Sequence, residues 1–491
     1  MAFLVKIHYN YGQKSQKQLS SHQKKFYCPN TYRIIMSKRD QDRKVALVSL
    51  GCPKNTVDAE VLLGNLKSKG FQIVDKMEKA DAVIINTCGF IEDAKRESLS
   101  FIFKALDGKK KHLKGVVVTG CLAQRYAQEL AEKIPQVDAF VGFESYPNVA
   151  HTLNQIFSKQ EANRVQVGEA TVPFQSEYIR HSLTPKHSAY LRVAEGCNHE
   201  CSFCSIPSFR GRFRSKPFES VMEEAKILVQ SGVCELNIIA EDTNQYGMDF
   251  SRDKRRLADL LYQLADLSSL KWIRLLYCYP SYFSPALIRA IAEIPKVVKY
   301  IDIPLQHASD RVLRRMNRPG SQYTRQLLNQ LKENIPELCL RSTFICGFPG
   351  ETEDDHQELV RFIKEWGFCR AGFFTYSLEE NTSAYSMDGH ISDQVKQARK
   401  DELVSLQQSI QESLATKWIG KKMNVLIDKV EKGYSKGRAY FDAPEIDGVV
   451  YVLHRLSPGR IYPIEILGTN GWDLYGQVSS PFYEESLGTI Q

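Results

Sequence analysis

Cys197, Cys201 and Cys204 lie in the run Cys-Asn-His-Glu-Cys-Ser-Phe-Cys, directly after an apolar stretch, Ala189–Ala194, that has the pattern of a short strand. Thiolates are soft ligands, the kind that iron–sulfur clusters require, and four of them saturate a cubane. Three would leave one iron open to chelation by a small molecule with an amino and a carboxylate group. The same residues with His199 could instead complete a four-ligand zinc site, although zinc knuckles more often use paired C-x₂₋₄-C units. A second set is spread more widely. Cys52, Cys88 and Cys121 each follow an apolar run (Lys44–Leu50, Ala82–Asn86 and Gly115–Thr119), each beside a glycine (Gly51, Gly89, Gly120). Their spacings of 36 and 33 residues each match one strand-plus-helix unit. Equivalent ends of neighbouring strands lie only about 5 Å apart, so the three thiols converge if these strands are adjacent and parallel. Simple core packing would not explain why all three fall at strand ends beside glycine. A second three-cysteine cluster site is the expectation.

The elements that must position these residues alternate between strand and helix, the pattern of a parallel α/β sheet. A first α/β domain is expected over 44–158, and a polar linker over 159–187. Six more units follow, with strands predicted at Ala189–Ala194, Glu235–Ala240, Trp272–Tyr277, Tyr300–Pro304, Leu340–Cys346 and Ala371–Tyr376. Six are too few for a closed eight-stranded barrel and suit an open, partial one over 183–415. Its chemistry would sit at the C-terminal strand ends. After a long amphipathic helix, short β runs at Met423–Val430, Gly437–Phe441, Gly448–Leu453 and Ile461–Leu467 predict a small antiparallel barrel over 416–483.

Composition narrows the class further. With 43% hydrophobic and 25% charged residues the chain reads as globular. No apolar run approaches the ~18 residues of a membrane span, and no signal-peptide pattern opens the sequence. A cytoplasmic, reducing setting follows, in which twelve cysteines are ligands or core residues rather than disulfides. Cys28, Cys234, Cys278, Cys339, Cys346 and Cys369 show no ligand spacing and are expected to pack in the core. The formal charge of +8 is deceptive, because residues 1–43 alone carry nine Lys or Arg against two Asp. That basic head reads as a disordered tail, as translation from a start upstream of Met36, or as an arm contacting RNA. The remainder is near neutral and is not electrostatically a nucleic-acid binder.

C-x₃-C-x₂-C after a first strand, with Phe203 before the last cysteine, resembles the radical S-adenosylmethionine superfamily. The resemblance implies a cluster whose open iron binds the methionine part of the cofactor, and cleavage of that cofactor to a 5′-deoxyadenosyl radical. It further implies that Gly347-Phe-Pro-Gly-Glu-Thr352 packs along the cofactor, placing Gly347, Phe348 and Gly350 there. Glu241, in Ala240-Glu-Asp-Thr243, would engage its amino group. Gln306 and His307 end a predicted strand near the cavity, with a substrate contact and a structural role equally open. Two three-cysteine sets in the order α/β domain, partial barrel, small β-barrel resemble the methylthiotransferases over about 44–480, the last barrel looking like a TRAM domain. That resemblance implies two 4Fe–4S clusters, two S-adenosylmethionine molecules, an electron donor such as flavodoxin or ferredoxin, and a sulfur source.

The wording around the first three cysteines, Ser49-Leu-Gly-Cys-Pro-Lys-Asn-Thr-Val-Asp-Ala-Glu60, Ile85-Asn-Thr-Cys-Gly-Phe-Ile-Glu-Asp-Ala-Lys95 and Gly120-Cys-Leu-Ala-Gln-Arg-Tyr126, resembles the RimO type. RimO enzymes modify an aspartate of the twelfth small-subunit ribosomal protein. The tRNA-adenosine-modifying MiaB type, the alternative, typically reads Gly-Cys-Gln-Met-Asn at the first site. Residues 417–480 carry nine Lys or Arg against seven Asp or Glu, a poor balance for gripping phosphates. Asp442, Glu445 and Asp447, in a stretch resembling the RimO form, would suit a basic ribosomal protein, or would merely solvate a turn.

Overall fold

The computed structural model describes residues 43–172, 174 and 180–479. All of the basic head except Arg43 lies outside the described residues. The first domain is built on β1 (Lys44–Ser49), β2 (Gln72–Ile73), β3 (Ala82–Thr87), β4 (Gly115–Gly120), β5 (Ala139–Val141) and β6 (Val165–Gln166). All pairings are parallel, in the order β2-β1-β3-β4-β5-β6. Successive side chains of a strand point to opposite faces. Val83, Ile85, Val116 and Val118 therefore meet α2 (Glu92–Lys109) and α3 (Cys121–Lys133), after α1 (Pro53–Ser68) has covered the other face. Ile84 and Val117 pack with Leu62 and Leu66 of α1 and with Val149 and Leu153 of α4 (Val149–Phe157). Both faces are covered, so β3 and β4 are buried along their whole length and read as unbroken apolar runs.

Three short strands escape the sequence reading: β2, β5 and β6 have two or three residues each, too few to show a period. The expected linker also differs. Val165–Gln166 adds the sixth strand, and Arg180 donates to Glu60 of α1, to the Tyr190 carbonyl and to Glu224.

The second sheet comprises β7 (Ser188–Arg192), β10 (Glu235–Ile239), β11 (Trp272–Leu275), β12 (Val297–Asp302), β13 (Cys339–Cys346) and β14 (Arg370–Thr375). A two-stranded ribbon, β8 (Ala194–Glu195) with β9 (Arg214–Ser215), flanks the short helix α5 (Ile206–Arg210). The strands are parallel in the order β14-β13-β12-β11-β10-β7 and do not close, the open six-stranded barrel expected. Helices α6 (Phe218–Gln230), α7 (Leu257–Ala265), α8 (Pro285–Glu293), α9 (Asp310–Arg315), α10 (Ser321–Asn334) and α11 (Glu353–Trp366) lie in the connections, and α12 (Asp393–Thr416) leads out of the barrel. No helix among the described residues is long and apolar enough to cross a membrane.

The last domain is a closed barrel, β15 (Lys422–Val430), β16 (Ser435–Arg438), β17 (Val450–Val452), β19 (Asp473–Val478) and β18 (Ile461–Asn470) in ring order. It has one strand more than the four runs read from sequence, and β17 pairs with β19 in parallel. The two differences are one fact. A closed ring with an odd number of strands cannot alternate direction throughout, so one pair must be parallel.

This barrel docks on the strand-N-terminal end of the open barrel, away from the Cys197 loop. Glu235, the first residue of β10, is buried among Arg438 of β16 (2.7 and 2.9 Å), Arg274 of β11 (3.2 Å) and the Ser188 hydroxyl (2.8 Å). Burial raises the Glu235 carboxyl, but Arg438 and Arg274 outweigh it and bring it down to about 2, against an ordinary 4.5. With the folded value the lower one, its stabilisation is complete above pH 4.5 and is lost as the pH falls from 4.5 towards 2. Arg438→Met should cost about 3–5 kcal/mol by stranding a buried carboxylate. It should also flatten the acid limb of the melting temperature against pH; an unchanged limb would show that Glu235 does not govern it.

Candidate functional site

Each cysteine of the first set is placed by a strand end and a helix start. Cys52 is the residue before α1, whose first position is Pro53 with the φ a helix start needs. Cys121 opens α3, and Cys88 follows β3, its N–H donating to the Ser98 hydroxyl of α2 (3.1 Å). The register Ser49↔Asn86 and Thr87↔Gly120 puts the three strand ends side by side. Close approach then explains the adjoining glycines. Gly51 has φ +91°, and a Cβ there would sit 2.8 Å from Cys88 Cβ; at Gly120 (φ +88°) it would fall 2.4 Å from the Thr87 carbonyl oxygen. Asn55 fastens the three loops together. Its amide donates to the carbonyls of Leu50 (2.8 Å) and Thr87 (3.1 Å), and its Oδ1 accepts from the Cys121 thiol (3.6 Å).

Burial pushes the Cys88 thiol up to about 11, helped by neighbouring Cys52. Cys121 is pushed up to about 12 by burial, with Cys88 and Cys52 adding to the effect. Buried thiols such as Cys121 ionise only if positive charge sits beside them, and an all-sulfur donor set selects iron–sulfur or zinc. Among the described residues no three His, Cys, Asp or Glu side chains close as tightly as one bound ion requires. A multi-iron cluster spreads its thiolates further apart than a single ion does.

The second set lies in the loop between β8 and α5. Cys197 N–H donates to the Gly211 carbonyl (3.1 Å) and Cys204 N–H to that of Cys201 (3.0 Å). Ser202 anchors the loop's middle to Met316 (3.0 Å), and Arg318 Nη1 donates to Cys201 Sγ (3.7 Å). Burial again raises Cys197 to about 12, with Cys201, Asp242 and Glu241 adding to the rise. His199 is otherwise engaged. Its Nε2 is 2.7 Å from Asp242 Oδ2 and its ring stacks on Tyr279 at 3.5 Å, so His199 holds the loop by these contacts.

Around this loop stand the residues expected to hold a cofactor. Phe203 packs against the apolar group that contains Phe348, Tyr376 and Met316, so the cysteine loop and the Gly347–Thr352 loop share one core. Gly347 (φ +73°) and Gly350 (φ +79°) shape the latter. Glu351 fastens it internally, accepting from the N–H groups of Gly347 (2.7 Å) and Phe348 (3.0 Å) and from Arg399 (2.9 Å). Thr352 and Asp355 form the capping box of α11. Glu241 Oε2 is buried with no hydrogen-bond partner, an acceptor matched to an ammonium or amino group. His307 is fully buried 3.7 Å from Glu351, and burial pushes its ring down to about 3; Gln306 bridges to β13 with a left-handed backbone.

The acids of the last barrel are placed otherwise than expected. Asp442 is buried against Arg370 (2.5 Å), and Asp447 accepts from the Tyr300 hydroxyl (2.7 Å) and faces Arg341 (3.6 Å). Both are spent on docking at the far end from the cysteines, because arginines of β13 and β14 need buried counter-charges there. Only Glu445 of the three is exposed.

Residues 44–142 match the family described as Uncharacterized protein family UPF0004, 191–363 the Radical SAM superfamily and 419–478 the TRAM domain. The chain is 43% identical over 440 residues to the ribosomal protein uS12 methylthiotransferase RimO of Clostridioides difficile (89% of this chain, 98% of the relative). It is 44% identical to the RimO of a Thermoanaerobacter species, covering 89% and 100%. The chain belongs to the RimO family. It is a radical S-adenosylmethionine methylthiotransferase. A solved radical methyltransferase, TsrM of Kitasatospora setae, aligns over 68% of this chain and 75% of its own, at 15% identity and TM-score 0.49.

Sequence reasoning missed the residue that joins the two cysteine sets in this RimO-family fold. Arg210, six residues after Cys204, is buried and donates from Nη2 to Asn55 Oδ1 (2.7 Å), Asp58 Oδ2 (2.8 Å) and Cys121 Sγ (3.7 Å). Asp58 also pairs with Arg192 at the end of β7 (2.5 Å), and Glu195 faces both arginines. A lone arginine in a short loop has no sequence signal of its own; only its distance from Cys204 could have flagged it. The His199 geometry makes a direct prediction. His199→Ala should leave bound iron unchanged while costing about 1–3 kcal/mol, since Asp242 loses its principal partner. Cys201→Ala should lower iron content, and equal iron loss in both variants would make His199 a ligand after all.

Proposed function

We propose that this chain inserts a methylthio group at the β carbon of an aspartate in ribosomal protein uS12, consuming two S-adenosylmethionine molecules and using two 4Fe–4S clusters. The observation that carries this reading is the presence of two separate all-cysteine sets linked by one buried arginine. Cys197, Cys201 and Cys204 would hold one cluster; Cys52, Cys88 and Cys121 would hold the other. Bound there, the Cys197 cluster would supply the electron for radical formation from S-adenosylmethionine, and the Cys52 cluster would hold the sulfur to be methylated and transferred.

The chain's own residues do the positioning. Glu241 would accept the cofactor's amino group through its free Oε2, and the Gly347–Gly350 turn would lie along the cofactor, backed by Phe348 and Phe203. Arg210 offsets negative charge at the buried Cys121. A reductant of flavodoxin or ferredoxin type and an external sulfur source complete the scheme, in a reducing cytoplasm. The uS12 target is supported by RimO relatives at 43–44% identity and by the near-neutral last barrel, which offers little to phosphate.

Mass spectrometry of uS12 from cells with and without the gene tests the substrate. The methylthio mass should vanish on deletion; if instead it persists while a methylthio-adenosine disappears from tRNA, the substrate is RNA. Cys197→Ala should abolish cleavage of S-adenosylmethionine. Cys88→Ala should retain some cleavage yet give no methylthiolated product, and full product from that variant would remove Cys52, Cys88 and Cys121 from the reaction.

A further inference from the structure

Most buried cations near the two cysteine sets face a carboxylate, a carbonyl or a thiol of the chain. Arg192 and Arg210 face Asp58, Arg318 donates to the Pro304 carbonyl and Cys201, and Arg341 pairs with Asp302 (2.8 Å). Lys54 differs. It lies in the first turn of α1, two residues from Cys52, and is 6% exposed. Its ammonium rests 3.3 Å from the centre of the Tyr277 ring and donates no hydrogen bond to any described residue. An ammonium carries three donors. The side chain is largely buried but the ammonium keeps contact with solvent, so its donors are not taken up by the protein and stay available to an incoming acceptor.

The ring is set in place deliberately. Tyr277 follows β11 at the barrel's C-terminal rim with φ +61°, an uncommon conformation for a bulky side chain and one that clusters at functional sites. Its carbonyl accepts from Thr243 N–H (2.9 Å), tying it to the loop that carries Glu241 and Asp242. Lys54 follows Cys52 by two residues, so the ring that it covers lies on the side of the Cys52, Cys88 and Cys121 set. Lys54 is therefore held at the seam between Cys52 and the barrel rim, where a carbon reached from both sets must lie.

We infer that Lys54 is the receptor for the carboxylate of the substrate's aspartate side chain, an inference that rests on the uS12 reading above. The carboxylate is bonded directly to the β carbon, so gripping it fixes the carbon to be modified. A carboxylate also supplies the acceptor and the countercharge that Lys54 lacks, and charge-assisted bonds of this kind are the stronger class. An asparagine in the same place would offer an acceptor without the charge. Lys54 is thus a specificity-determining residue that distinguishes an acid from its amide.

The test compares uS12 with a uS12 variant carrying asparagine at the target aspartate, measured against the holoenzyme by fluorescence anisotropy and by methylthiolation. The wild-type enzyme should prefer aspartate by roughly 10- to 100-fold, the range of one charge-assisted hydrogen bond. Lys54→Met should reduce that preference to within about threefold, on the same energetic scale, while Lys54→Arg keeps most of it. Iron content and melting temperature report whether Lys54→Met has folded; if it has not, the ratio measured with Lys54→Arg decides. A folded Lys54→Met that retains the wild-type ratio overturns the inference, as does Lys54→Arg behaving no differently from an uncharged replacement. If wild-type enzyme neither binds nor modifies uS12, the substrate reading has failed first and this one falls with it.

Discussion

The constraint on which the rest of the molecule depends is the buried charge network of Arg210, Asp58, Arg192 and Glu195 between the first domain and the open barrel. Two cysteine sets on separately folded sheets are useful only at one mutual distance and orientation. An apolar seam alone would permit several offsets with similar burial. Charges taken out of water tolerate no such sliding, because a shift of one residue strands a carboxylate or a guanidinium. Arg210 makes the match stricter still, since Nη2 must meet Asn55, Asp58 and Cys121 together. Lys95 and Arg125, both meeting Glu379 at 3.1 Å, extend the same principle along the seam. Such pairs add little net stability. Their contribution is register.

The open barrel then divides its two ends between two tasks. Strand C-terminal ends carry the Cys197 loop, Glu241 and Tyr277, while the N-terminal ends receive the small barrel through Glu235, Asp442 and Asp447. A six-stranded open sheet has no closed interior of its own. Trp272 and Tyr300 from its inner side share an apolar group with Phe441, Val425 and Ile466 of the small barrel and with Val57 and Val61 of α1. Both flanking domains thus help to complete the core of the middle one, and neither is an appendage.

Much of this was legible in the sequence because strand-end cysteines carry their own coordinates. Cys52, Cys88 and Cys121 are spaced by whole strand–helix units, and the parallel register of β1, β3 and β4 converts that spacing into proximity. The C-x₃-C-x₂-C loop and the Gly347–Thr352 turn are local in sequence, so their geometry is nearly local too. What was not legible depends on contacts across domains. Asp442 and Asp447 look like solvated turn acids until Arg370 and Arg341, some 70 to 106 residues away, are brought against them. The strand Asp473–Val478 and its parallel partner follow from ring closure, a property of the whole barrel and of no segment within it.

Lys54 illustrates the same limit from the other side. In the run Gly51-Cys52-Pro53-Lys54-Asn55 it reads as an ordinary solvated lysine in a helix's first turn, a position where the helix dipole disfavours a cation. The structure buries it and supplies a ring face where an acid would be expected. Stability alone would replace it with an apolar residue, since its neighbours on α1 include the buried Val57 and Val61 of the barrel-facing core. A charge kept at the helix start without a protein acceptor is left available to an acid from outside the folded chain. On the function proposed above, that partner would be a substrate whose acidic group lies one bond from the reacting carbon.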